Sequence, residues 1–428
     1  MKYRNPKGTF DLLPAFLCSP SEWKDINKWH FIERTLRELA DNYGYEEVRT
    51  PVFEQTEVFT RSAGETSDIV SKEMYTFTDK ASRNLSLRPE GTASTMRAYA
   101  QNKFMATSIA HKFFYIGPFF RYDRPQAGRF RQFHQFGIEA IGSGEPEQDF
   151  ETIEMLYELL QRLKVKGLSV KINSIGDETT RKDYAQALKI FLEPYYGKLS
   201  SDSQKRFKVN PLRILDSKDP YEKDLIQNCP SILDYLSIPS KKHFDAVQNY
   251  LSENNVPFSV DHRLVRGLDY YNQTVFEVTT DFLGSQNSIG AGGRYDGLLP
   301  KLGGPDLPCI GFSVGIERII QTMIGQKIRF PKPKSPKIAI VLLQKDLKQE
   351  AIKILHNLRH KRFSTIFIDL KTIQKSLKHA EQKSVLYTLI LGDEEYQKQV
   401  IQVKDMKKRT SKLIPIAKIY TFFEDIYG

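Results

Sequence analysis

The chain has 428 residues, 40% of them hydrophobic and 27% charged, and a formal net charge of +11. That length exceeds one ordinary core and calls for two or three domains, and this composition excludes a disordered chain. No apolar stretch reaches the roughly 20 residues that span a bilayer, and residues 1–14 (MKYRNPKGTFDLLP) lack the apolar centre of a secretory signal, so a cytoplasmic protein without a membrane partner is expected. Cys18, Cys229 and Cys309 are far apart and form no CxxC pair, which reads as scattered reduced thiols, not a disulfide framework or zinc site.

In chain order, residues 22–43 carry Ile32, Leu36, Leu39 and Tyr43 at helical spacing, with Gly44 as a stop. Strands are expected at 74–78, 84–87, 112–116, 119–123 and 131–141. A helix with Ile153, Leu156, Tyr157 and Leu160 on one side follows. Residues 178–258 read as a mainly helical, polar insertion, and strands resume at 275–280 and 310–314. Strands crowded together with irregularly interspersed helices indicate an α+β domain on an antiparallel sheet over residues 1–330.

Pro331, Pro333 and Pro336 deny regular structure to residues 331–337, which read as a linker. Beyond it, apolar runs at 338–343, 365–370 and 385–391 alternate with helical stretches at 346–361 and 371–381. That spacing gives a separate small α/β domain over 338–428, with a parallel or mixed sheet. Residues 331–428 hold 20 Lys and Arg against 10 Asp and Glu, so nearly all of the excess charge lies in this segment. Either it meets a polyanion or it is a basic solubilising surface.

The usual phosphate loops are missing. There is no GxxxxGK[ST], and Gly290-Ala291-Gly292-Gly293 fails GxGxxG because Tyr295 takes the last position. A nucleotide would have to be held by arginines on a sheet. Residues 119–142 (FFRYDRPQAGRFRQFHQFGIEAIG) supply them in a strand, a loop and a second strand. Alternation puts Phe133, Gln135 and Glu139 on one face of the second strand and Phe136, Ile138 and Ala140 on the other. A surface hairpin with scattered salt bridges is the competing reading. Glu90 and Thr92 lie where a strand gives way to a helix, with an N-cap role open to Thr92. Arg266 stands by a glycine turn, with Tyr270 and Tyr271 as binding phenols or core aromatics. Arg318 enters a helix N-terminus, where the dipole favours anions.

Taken together, seven segments resemble the class II aminoacyl-tRNA synthetases and, within them, the histidyl-tRNA synthetase family. They are KGTFDLLP (7–14), residues 43–77, LRPEGT (87–92), FFRYDRPQAGRFRQFHQFGIE (119–139), LVRGLDYY (264–271), GAGGRYDGL (290–298) and GFSVGIERI (311–319). The resemblance implies an ATP-dependent ligase with Mg2+ on the nucleotide, acting on histidine and tRNA(His) as a homodimer. It gives Arg121 the ATP α-phosphate and Arg318 the γ-phosphate. Asp123 stands where the family usually has glutamate, and Arg129 and Phe133 meet the nucleotide. The amino acid's ammonium and backbone fall to Glu90, Gly91, Thr92 and Gln135, with Arg121 beside them, and Arg266 neutralises charge as the bond forms. Glu139, Tyr270, Tyr271 and Tyr295 would take the imidazole, and Arg124 and Gln126 the acceptor end of the tRNA. The 338–428 domain would read the anticodon. The alternative is the related regulatory subunit of ATP phosphoribosyltransferase, a binding protein with this catalytic fold.

Overall fold

The computed structural model describes residues 3–64, 67, 69–108, 110–123, 128–282, 287–331, 338–370 and 372–427. The chain divides into two compact units, residues 1–13 with 23–330 and residues 14–22 with 331–428. Arg124, Gln126 and most of the 331–337 linker lie outside the described residues.

The first unit has strands β1 (Glu46–Glu47), β2 (Phe53–Gln55), β3 (Tyr75–Thr78), β4 (Asn84–Leu87), β5 (His111–Phe120), β6 (Gln132–Ile141), β7 (Leu168–Ser174), β8 (Phe258–Val260), β9 (Asn272–Thr280), β10 (Ser288–Arg294) and β11 (Cys309–Gly315). Its helices are α1 (Ile26–Asn42), α2 (Thr56–Ala63), α3 (Thr92–Gln101), α4 (Pro146–Arg162), α5 (Glu178–Leu192), α6 (Ser201–Val209), α7 (Pro220–Ile226), α8 (Ile238–Glu253), α9 (Leu298–Lys301) and α10 (Ile316–Gly325). Eight strands form one sheet in the order β1-β5-β6-β11-β10-β9-β7-β8, and β2-β4-β3 form a small antiparallel sheet. The large sheet is antiparallel except at its two ends, where β1–β5 and β7–β8 are parallel.

One face of this sheet carries the core. Phe136, Ile138 and Ala140 of β6 and Ile310, Phe312 and Val314 of β11 pack with Trp29, Ile32, Leu36 and Leu39 of α1 and Ile153, Leu156 and Leu160 of α4. The strand residues recur with period 2 and the helix residues with spacings of three and four, so each element buries one face. Each of the Leu, Ile, Val and Phe side chains contributes about 1.5–3 kcal/mol by leaving water. Helix α1 starts where Asp25 accepts the backbone N–H of Asn27 at 3.0 Å, and it stops before Gly44, whose φ is +73°.

The two strands expected at 112–116 and 119–123 are one strand, β5. Gly117-Pro118 looks like a break in the sequence, yet Pro118 pairs with His134 inside the ladder, and β1 flanks β5 only at Phe113 and Phe114. Past β1 that flank has no ladder bond to lose, so a residue without an N–H is tolerated.

Helices α5 to α8 follow β7: Tyr184, Leu188, Leu192, Ile214 and Ile232 share a core with Val275 of β9, whereas α8 packs Phe244, Val247 and Leu251 into the main core. Asp177, Ser200, Asp219 and Ser237 stand at the four N-caps, each accepting a first-turn N–H. These short polar residues satisfy donors that a helix start leaves open, so a polar stretch still makes discrete helices.

In the second unit, strands β12 (Ile338–Leu342), β13 (Thr365–Ile368), β14 (Tyr387–Leu391), β15 (Val400–Asp405) and β16 (Thr410–Pro415) pair in the order β13-β12-β14-β15-β16. The first three are mutually parallel, and β15 and β16 add an antiparallel hairpin. Helices α11 (Lys348–His360), α12 (Ile373–Gln382), α13 (Asp393–Gln397) and α14 (Ile419–Tyr427) complete it. The expected sheet is therefore mixed. Its hairpin escaped the sequence reading because β16 is almost wholly exposed and lacks an apolar face to announce it.

Candidate active site

On the face of the large sheet opposite the core lies a cavity of about 370 Å³, within the range of small-molecule sites. Its floor is low because β11 presents Gly311, Ser313 and Gly315 there while Ile310, Phe312 and Val314 fill the core. A Cβ at Gly311 would meet the Glu139 carboxylate from the neighbouring strand.

Arg121, Arg129, Arg266 and Arg318 all line this one cavity, although up to 197 positions separate them in the chain. Arg121 sits one residue past the end of β5. Its Nε donates to the Pro89 carbonyl at 2.9 Å and its guanidinium lies 5.3 Å from the Phe133 ring centroid. Arg129 donates to Asp123 at 2.7 Å. Arg318, on the first turn of α10, donates to the Ser288 carbonyl at 2.7 Å. Arg266 donates to Glu277 of β9 at 2.7 Å, and its Nε is buried without a hydrogen-bond partner among the described residues. Burial holds Arg318 below the usual arginine range, and the positive charge of Arg129 adds to this. Guanidinium groups lining one cavity repel one another, and a polyanion would relieve that repulsion.

At the other end of the cavity, Glu90 is buried and accepts the backbone N–H groups of Thr92 at 2.6 Å and Ala93 at 2.9 Å. Glu90 therefore caps α3. The N-cap reading of Thr92 is corrected: Gly91 holds that position, and the Thr92 hydroxyl is turned inward to Glu139 at 2.7 Å. The other Glu139 oxygen accepts the Tyr295 hydroxyl. Burial pushes the Glu139 carboxyl up to about 8, against the pull of the Tyr295 and Thr92 hydroxyls. Glu139 is 1% exposed and lies beneath the cavity wall, touching the lining residues Thr92 and Tyr295.

Tyr270, Tyr271 and Tyr295 form an aromatic cluster beside it, with ring centroids 4.7–6.4 Å apart. Gln135 lines the cavity near Ser313, with its Oε1 buried and lacking a hydrogen-bond partner among the described residues. A buried acceptor in that condition calls for a donor from a ligand or water.

The structure thus gathers Glu90, Gly91, Thr92, Arg121, Asp123, Arg129, Phe133, Gln135, Arg266, Tyr270, Tyr271, Tyr295 and Arg318 around one hollow, with Glu139 directly under it. It adds residues that sequence reasoning missed. Tyr115 packs so close to Gly91 and Gly137 that a Cβ at either would run into its ring. Glu317 accepts the backbone N–H of His134 at 2.8 Å, tying α10 to β6 beside Arg318. Glu277 gave no local signal, because its role as the partner of Arg266 depends on a loop folding back over β9. Glu317 could have been flagged as a carboxylate next to a singled-out arginine.

The chain is similar to known proteins along nearly its whole length. The sequence model described as "Histidyl-tRNA synthetase" matches residues 18–176 and 231–319, and the "Anticodon binding domain" model matches residues 337–426. The histidine–tRNA ligase of Protochlamydia amoebophila (strain UWE25) is 51% identical over 407 residues, covering 95% of this chain and 96% of that one. That of Desulforamulus reducens is 42% identical over 420 residues, with 98% of each chain covered. The crystal structure of apo S. aureus histidyl-tRNA synthetase superposes with a TM-score of 0.82 at 35% identity, covering 99% of this chain and 100% of that one. The chain belongs to the histidyl-tRNA synthetase family of aminoacyl-tRNA ligases.

Proposed function

We propose that the protein activates L-histidine with ATP and transfers it to tRNA(His). A histidine carboxylate oxygen attacks the α-phosphorus, forming the histidyl-adenylate and expelling pyrophosphate. A terminal ribose hydroxyl of the tRNA then attacks the adenylate carbonyl, giving histidyl-tRNA and AMP, with the hydroxyl proton lost to the phosphate or solvent. This chemistry needs positioning and charge neutralisation more than a protein nucleophile.

The observation that carries the reading is the meeting of Arg121, Arg266 and Arg318 in one cavity that ends at Glu139. Arg121 takes the α-phosphate, Arg318 the γ-phosphate, and Arg266 the carboxylate and α-phosphate as charge shifts between them. Phe133 stacks on adenine, with Arg129 and Asp123 beside it. Asp123 is shorter than the family's usual glutamate, and its contact with Arg129 supports a role held through that arginine. Glu90, Gly91, Thr92 and Gln135 hold the ammonium and backbone, and Glu139 with Tyr270, Tyr271 and Tyr295 takes the flat imidazole, whose two nitrogens face opposite ways. Polar groups left unpaired reject apolar side chains severely.

Mg2+ would enter with ATP and neutralise phosphate charge, keeping several of its waters. Among the described residues no cluster of His, Cys, Asp and Glu forms a metal site of its own. Residues 338–428 read the anticodon, 1–330 form the catalytic domain with 178–258 inserted, and 331–337 link the two. Arg124 and Gln126 meet the acceptor end. A cytoplasmic homodimer completes the reading.

Isotopic pyrophosphate exchange into ATP, run with each amino acid in turn, tests it. Exchange with histidine alone is expected. Exchange with none favours the alternative, a non-catalytic regulatory subunit.

A further inference from the structure

Arg266 stands in a loop, residues 261–271, that has neither helix nor strand to hold it. Its first half is fixed by the catalytic sheet. The fully buried Asn173 of β7 donates to the His262 carbonyl at 3.2 Å and to the Leu264 carbonyl at 3.0 Å, and the Asp261 N–H donates to Ile172 at 3.0 Å.

The second half is held from two sides: Leu268 and Tyr270 pack with Met96, Tyr295 and Leu298, and α5 and α6 supply the hydrogen bonds. Arg181, on the first turn of α5, donates to the Tyr271 carbonyl at 2.9 Å. Asn210, just past the end of α6, donates to the Asp269 carboxylate at 3.0 Å. Leu264, Val265 and Tyr271 pack against the core that the insertion shares with β9, beside Tyr184, Leu188 and Ile214. Side chains on both sides of Arg266 therefore complete that core. A change in the packing of α5 or α6 moves the backbone from which Arg266 reaches the cavity.

We propose that the helical insertion sets the position of Arg266 for the bond-forming step, with Arg181 and Asn210 as its positioning residues. The inference rests on the reading of Arg266 given under Proposed function. Neither Arg181 nor Asn210 lines the large cavity, so neither touches substrate there. They act through the loop. An error of about 1 Å in a group that must meet a developing charge costs on the order of a hundredfold in rate, while leaving contacts made equally in ground and transition states unchanged. The same link offers a route by which a partner seated on the insertion could adjust adenylate formation without entering the cavity.

The test uses the full chain and histidine-dependent pyrophosphate exchange, with thermal unfolding in parallel. Arg181→Met keeps the aliphatic stem and removes the donor, Arg181→Lys restores a donor, and Asn210→Ala removes the second contact. The expected result is a kcat lowered about tenfold to a hundredfold in Arg181→Met and Asn210→Ala, with KM for ATP and for histidine within about threefold and the unfolding midpoint unchanged. Arg181→Lys should recover most of the rate. Placed on top of Arg266→Ala, Arg181→Met should cost less than about twofold more, because the residue it positions is gone. If kcat stays within about twofold in both single variants, or if Arg181→Met costs as much in the Arg266→Ala background as alone, the inference is overturned. Should the wild-type protein show no histidine-dependent exchange, the parent reading of the cavity fails first, which is a distinct result.

Discussion

The hydroxyl of Tyr295 donates to the Glu139 carboxylate across 156 positions of chain, and the Thr92 hydroxyl takes the other oxygen at 2.7 Å. The carboxylate is thus held from two sides before any ligand arrives. Glu139→Gln keeps the shape and replaces the ionisable carboxyl with an amide that cannot exchange a proton with the imidazole. KM for histidine should rise about tenfold to a hundredfold, and near-isosteric amino acids should be activated relatively better. Exchange kinetics with histidine and its ring analogues check this, and unaltered selectivity contradicts the contact.

The same carboxyl gives a pH prediction. Burial raises it from its ordinary 4.5 to about 8, so between those values the folded state keeps a proton that the unfolded chain has released. Its contribution to stability is therefore complete below about pH 4.5 and is lost as pH rises through about 8. Stability of the ligand-free protein should fall between pH 5 and 8 more steeply in the wild type than in Glu139→Gln, by up to about 1 kcal/mol per pH unit. Denaturant unfolding of the two proteins across that range measures the difference, and parallel slopes refute it.

Arg266→Ala should leave histidine binding largely intact while adenylate formation falls about a hundredfold to a thousandfold. Arg266 lines the cavity with its guanidinium fixed by Glu277 at 2.7 Å. Calorimetric titration with histidine and single-turnover adenylate formation separate the two effects. Equal losses in both assign Arg266 to ground-state binding.

Gly91 and Gly137 flank the Tyr115 ring, and a Cβ at either position would overlap it. Gly137→Ala should cost about 1–3 kcal/mol through overpacking and raise KM for histidine, since Tyr115 lies against the residues that hold Glu139. Gly197→Ala, with nothing within 4 Å of its Cβ, is the matched control and should be close to neutral. Unfolding midpoints of both variants test the contrast.

Much of the fold was legible because periodicity carries it. Phe136, Ile138 and Ala140 alternate with Gln135 and Gly137 along β6, and the burial of the first set sends the others to the opposite face. The same logic found α1, α4 and β12 to β14. It divided β5 into two strands at Gly117-Pro118, where a proline's cost depends on whether its flank carries a strand, which only the assembled sheet decides. It missed the β15–β16 hairpin, in which only β15 buries side chains, Ile401 and Val403, while β16 stays almost wholly exposed.

In the site, residues within one motif were readable from strand and turn chemistry, whereas partners brought by distant elements were not. Glu277 lies 11 positions from Arg266 yet meets it only because the loop turns back over β9. Asn210 meets Asp269 from 59 positions away. Such pairs have no local pattern, and the tertiary fold alone creates them.

The central claim is that Arg121, Arg266 and Arg318 share one triphosphate beside the Glu139 pocket. A crystal structure of the protein with histidine and an α,β-methylene analogue of ATP, which cannot release pyrophosphate, measures it most directly. The expected density puts all three guanidinium groups within hydrogen-bond distance of phosphate or carboxylate oxygens and the imidazole against Glu139. A triphosphate bound away from any of the three, or an imidazole seated elsewhere, contradicts the account.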